Sequence, residues 1–85
     1  MIPDNSLDFI FIDGDHTTDA VLQDIRDYYP KLKDTGIMLG HDYSWDTVRL
    51  AVVAIFGAKL QSHANMWYIP KKDIDTTNLF LKKKY

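Results

Sequence analysis

The run Leu7-Asp8-Phe9-Ile10-Phe11-Ile12 constrains this chain more than any other stretch. It is nearly continuous in apolar residues and too short for a helix of ordinary length. Pro3-Asp4-Asn5-Ser6 bounds it on one side and Asp13-Gly14-Asp15 on the other. Such a run reads as a strand buried on both faces, the kind found in parallel sheets.

Helical spacing follows. Val21, Ile25, Tyr28, Tyr29 and Leu32 recur at intervals that line one face of a helix. Thr17 or Thr18 can cap its start, and Asp19 suits its first turn. Pro30 has no N–H to donate, so it kinks the helix or restarts it for a last turn, and Asp34-Thr35-Gly36 then ends it. Ile37-Met38-Leu39-Gly40 is a second buried strand leading into His41-Asp42-Tyr43. A second helix begins at a Ser44 cap, buries Val48, Ala51, Val52, Ile55 and Phe56, and stops at Gly57. Lys59-Leu60-Gln61 and Asn65-Met66-Trp67-Tyr68-Ile69 can form two more strands as a hairpin. Beyond Pro70 the pattern allows at most a short helix around Asn78-Leu79-Phe80-Leu81.

Two buried strands joined by one helix imply parallel pairing with a right-handed crossover. The class is α/β, and in such sheets ligands bind beyond the carboxyl ends of the strands. Both strands end there in polar clusters.

Composition narrows the function classes. With 85 residues the chain holds one small domain at most. It has no cysteine, which excludes disulfides and thiolate metal sites and suits a reduced, cytoplasmic setting. No apolar run nears the roughly 20 residues that span a bilayer. Residues 1–46 carry ten aspartates against three basic side chains, whereas residues 47–85 carry seven basic side chains against two aspartates. This asymmetry reads as two solvated faces and a basic tail. Lys82-Lys83-Lys84 is too short, and too poor in interleaved aromatics, to indicate nucleic acid.

Two clusters can carry chemistry. Asp13-Gly14-Asp15-His16 places three titratable groups around a turn-permitting glycine at a strand's carboxyl end, which suits proton transfer or metal binding. The structural alternative makes Asp15 a helix cap and His16 a solvated turn residue. His41-Asp42 ends the second strand, and with parallel neighbours it can converge on Asp13. Two carboxylates and an imidazole suit Mg²⁺ or Mn²⁺. Here the alternative is that Asp42 caps the next helix and His41 fills the cleft wall. Trp45 and His63 read as structural residues, and Trp67 and Tyr68 as core.

The stretch from Ser6 through Asp13-Gly14-Asp15-His16 resembles the fourth strand of class I S-adenosylmethionine-dependent methyltransferases. The resemblance continues through Val21-Leu22-Gln23-Asp24-Ile25 and Tyr29–Gly36 into Ile37-Met38-Leu39-Gly40-His41-Asp42-Tyr43. Val48–Val52 and Trp67 extend it to about residue 70. It implies a partial Rossmann-like fold, strands four to seven with intervening helices, parallel with room for an antiparallel C-terminal strand. Residues 1–70 would then be the C-terminal half of the domain and residues 71–85 a basic tail.

By the same resemblance, Asp13, His41 and Asp42 would hold a cation, Asp13 and Gly14 would face the cofactor, and Asp15 would act as general base beside His16. The implied reaction is deprotonation of a small-molecule or sugar hydroxyl and its attack on the sulfonium methyl. His41 stands where the metal-dependent members carry a carboxylate, Thr18 where an aromatic is usual, and Thr35 replaces a glycine. Nothing in residues 1–85 resembles the glycine-rich cofactor loop that precedes strand four in this family. The chain alone is therefore expected not to methylate, and to need a homodimer or a complementing N-terminal half. A rival resemblance of Asp13-x-Asp15-x-Thr17 is to haloacid-dehalogenase-like phosphatases, with Asp13 as nucleophile and Asp15 as acid/base; it also needs a later lysine and a downstream acidic pair, for which Asp73-Ile74-Asp75, in the surface tail, is a poor candidate.

Overall fold

The computed structural model describes residues 2–12 and 17–79. Strand β1 spans Leu7–Ile12, helix α1 Thr18–Tyr28, strand β2 Leu32–Gly40 and helix α2 Asp46–Phe56. Strands β3 (Gln61–His63) and β4 (Met66–Pro70) form the expected hairpin, although β3 shares only Gln61 with the expected Lys59-Leu60-Gln61 because Lys59 belongs to a 3-10 turn, and a short helix α3 covers Thr76–Leu79. The four strands make one sheet in the order β1-β2-β4-β3. β1 and β2 are parallel, as their connecting helix requires, while β4 runs antiparallel to both β2 and β3. The class is α/β with a mixed sheet.

Helix α1 starts where a capping residue allows it. Thr17 keeps extended backbone angles, and its hydroxyl accepts the Ala20 N–H at 3.3 Å. Val21 and Ile25 face the core. Pro30 does restart the chain for a last turn, a 3-10 turn over Tyr29–Lys31. Leu32, which fits the helical spacing, belongs instead to β2, as do Asp34, Thr35 and Gly36. The cause is an irregular register. Leu7 pairs with Leu32 but Phe9 with Ile37, so β2 spends five residues where β1 spends two. Gly36 sits in that bulge, where an added Cβ would come within 2.8 Å of the Asp8 carbonyl.

Helix α2 buries Val48, Ala51, Val52, Ile55 and Phe56, the stripe read from the sequence, and ends at Gly57. Its cap is Trp45 rather than Ser44, whose N–H donates to the Asn65 side chain.

The core lies on one face of the sheet. Ile10, Ile12, Met38, Trp67 and Ile69 alternate inward and meet the buried residues of α1 and α2. Trp67 packs its ring 5.7 Å from that of Phe56 and is fully buried. It lies beside Gly40, where a Cβ would overlap the indole. The opposite face is bare among the described residues. Phe9, the most open, is 67% exposed, and Phe11, Ile37 and Tyr68 are also exposed. The expectation that β1 is buried on both faces is thus corrected, since both long helices pack on the same side. Tyr68 likewise lies outside the core in which it was expected.

The segment after Pro70 packs Ile74 and Leu79 into the core. Lys71 anchors it. The largely buried ammonium donates to the Leu32 carbonyl and to Asn5 Oδ1 (3.3 Å), lies 3.7 Å from Asp34 and sits 4.8 Å above the Tyr29 ring. Burial, with the nearby Asp34 carboxylate, raises the Tyr29 phenol above its ordinary pKa. No helix among the described residues is long and apolar enough to cross a membrane.

Candidate active site

The parallel register decides where the two chemical clusters leave the sheet. Ile12, the last residue of β1, pairs with Gly40, the last residue of β2. Neighbouring strands lie about 4.8 Å apart. The chain therefore departs towards Asp13 and towards His41 from adjacent points on one edge. The far ends of the two loops also meet, because the Thr18 hydroxyl donates to the Thr47 carbonyl at 3.0 Å and ties the start of α1 to that of α2. Asp13, Gly14, Asp15 and His16 themselves lie outside the described residues.

His41 and Asp42 are joined to each other. Imidazole Nδ1 lies 3.1 Å from Asp42 Oδ1. A carboxylate only accepts, so any proton in this contact is donated from Nδ1. Asp42 holds a left-handed backbone at φ 60°, a conformation that asparagine and aspartate tolerate better than other non-glycine residues. Its side chain is 21% exposed against 48% for His41, so the acid supports the imidazole from below. Neither structural alternative describes this arrangement. Trp45 is the cap of α2, and His41 is open to solvent.

The loop is held from two further elements. In the turn of the β3–β4 hairpin, the Asn65 carbonyl accepts the Tyr43 N–H at 3.1 Å and its Oδ1 accepts the Ser44 N–H at 2.7 Å. From α2, Arg49 donates to the Tyr43 and Ser44 carbonyls at 3.4 and 3.3 Å and pairs with Asp46. The Trp45 N–H closes the turn on the Asp42 carbonyl at 3.0 Å. Asn65 and Arg49 carry no sequence signal for this role, since each acts only through backbone that folding brings near. Trp45, read as structural, is 53% exposed on this loop, and His63 is exposed on β3.

The described residues do not by themselves make a cation site. No three of their histidine or acidic side chains gather as a ligand set. The acidic pair needed for the phosphatase reading is also misplaced. Pro70 pairs with Ile37, so Asp73 and Asp75 follow β4 at the opposite end of β2, and Asp75 accepts the Thr77 N–H at the start of α3.

Residues 2–43 match the model of a family described as a methyltransferase domain. The matched span runs from the turn before β1 through α1 and β2 to the loop that carries His41 and Asp42. This part of the chain belongs to a methyltransferase-family domain, for which S-adenosylmethionine is the implied methyl donor. No curated protein and no solved structure matches the chain. The phosphatase reading is not favoured.

Proposed function

We propose that the chain serves an S-adenosylmethionine-dependent O-methyltransferase whose acceptor is a hydroxyl group of a small molecule or a sugar. One observation carries this reading. Ile12 pairs with Gly40, so β1 and β2 end side by side at one carboxyl edge, within the span that matches the family. The sheet order, with β4 antiparallel beside β2, supports a Rossmann-like arrangement corresponding to strands four to seven.

The methyl donor, when bound, supplies an electrophilic methyl on a sulfonium, and Asp13 and Gly14 are the residues assigned towards it. The chain's own task is the acceptor. A neutral hydroxyl is a weak nucleophile until its proton leaves. Asp15 takes that proton, with His16 beside it, and a positioned base of this kind contributes about 10²–10⁴ in rate. His41, beside Asp42, positions the acceptor molecule from the second loop, which matters because in-line geometry supplies much of the acceleration.

The test uses the protein as its source expresses it, with methyl-labelled S-adenosylmethionine and a panel of hydroxylated acceptors. Label should appear as a methyl ether, and Asp15→Asn and His41→Ala should each lower kcat at least tenfold. Transfer to nitrogen or sulfur, no transfer to any hydroxyl, or full turnover in both variants would overturn the proposal.

A further inference from the structure

The β3–β4 hairpin reaches the candidate site from outside the matched family span of residues 2–43. β4 runs antiparallel to β2 with Trp67 opposite Gly40, so the turn before Met66 lies at the carboxyl edge of β2, where the chain passes on to His41. His63 pairs with Met66, which leaves Ala64-Asn65 as a two-residue turn. Turns of this kind favour glycine, asparagine or aspartate where φ is positive. Here Ala64 takes φ 56°, with no side-chain group to offset that conformation. Non-glycine residues persist there where the surroundings hold them.

What holds this turn is the site loop, through Asn65. The Asn65 carbonyl accepts the Tyr43 N–H at 3.1 Å and its Oδ1 accepts the Ser44 N–H at 2.7 Å. Arg49 takes the carbonyls of the same two residues, and the Tyr43 side chain packs against the core. His41-Asp42 is therefore a short span held at both ends. Gly40 is fixed in the sheet opposite Trp67, and Tyr43 is fixed by the hairpin, α2 and the core. A backbone has few soft dihedrals per residue, so a span this short has few ways to join fixed ends. The left-handed Asp42, at φ 60°, and its 3.1 Å approach to His41 belong to that constrained path.

We propose that Asn65 is a positioning residue for methyl transfer: by holding the Tyr43 and Ser44 N–H groups it fixes the place from which His41 orients the acceptor. Small errors in such placement are costly, because orientation supplies much of an enzyme's acceleration. The role rests on the O-methyl transfer proposed above for the reaction it serves, whereas the hold on the loop is independent of it. Asn65 touches only backbone, so its contribution passes through the loop and not through contact with a substrate.

The experiment compares two variants of the protein as its source expresses it. Asn65→Leu removes the side-chain acceptor at nearly constant size and leaves the bond from Tyr43, which goes to the backbone, in place. Asn65→Asp keeps an acceptor oxygen at the same position. Asn65→Leu should lower kcat by about fivefold or more with KM for S-adenosylmethionine unchanged. It should also speed hydrogen exchange at the Ser44 amide by about tenfold and displace the His41 imidazole signals in the NMR spectrum, while the Trp67 indole signal stays in place. Asn65→Asp should restore all of these. Full kcat in Asn65→Leu, a fall in kcat that Asn65→Asp shares, or unmoved His41 signals would overturn the positioning role. If the unsubstituted protein transfers no methyl, O-methyl transfer falls and Asn65 is judged on the His41 signals: displacement in Asn65→Leu with recovery in Asn65→Asp keeps its hold on the loop, and unmoved signals remove it.

Discussion

The two faces of one sheet are built from the same strands and the same kinds of side chain, yet they differ in what they touch. Ile10 and Ile12 of β1 lie under α1 and α2, while Phe9 and Phe11, alternating with them, lie open. The contrast shows that a strand's apolar content sets what it can bury, not what it does bury. Cover depends on where the connecting helices go, and here both long ones pack on one side.

The largest effect should come from the covered face. Trp67→Ala removes the largest fully buried side chain and should cost about 3–5 kcal/mol, read as a fall in the urea midpoint at unchanged slope. Gly40→Ala pushes a methyl into the same indole from the neighbouring strand and should cost about 1–3 kcal/mol in the same titration. A neutral result would mean that the indole has room to move, and the covered face would be less tightly packed than described. Phe9→Ser tests the bare face and should change stability by less than about 0.5 kcal/mol. A loss above about 2 kcal/mol, with sedimentation showing a dimer that the substitution dissociates, would mean that this face is covered in solution.

Much of this was legible in the residues, for identifiable reasons. The stripe of α2 and the Thr17 cap of α1 are local patterns, so spacing alone reveals them. The parallel pairing of β1 and β2 follows from a helix lying between them. Leu32 misleads because a buried strand start and a helical face both call for leucine, and only the bulge opposite Asp8 separates them. The two tryptophans cannot be told apart by type. One is buried through its register with Gly40, a contact set by strand order rather than by neighbours in sequence. At the site, His41 and Asp42 stood out as chemistry-bearing residues, but neither their 3.1 Å approach nor the left-handed backbone of Asp42 shows in the residue types. The support from Asn65 is long-range and had no local signature. The other candidate cluster, Asp13 to His16, lies outside the described residues; of its flanks, Ile12 pairs with Gly40 and Thr18 is tied to Thr47.

In the proposed function Asp13-Gly14-Asp15-His16 and His41-Asp42 form one reaction centre. A double-mutant cycle on methyl transfer with Asp15→Asn and His41→Ala tests it most directly. Groups that act as a unit lose their contribution together, so the double variant should be little slower than the worse single variant. Losses that simply multiply would show two independent sites and contradict the claim.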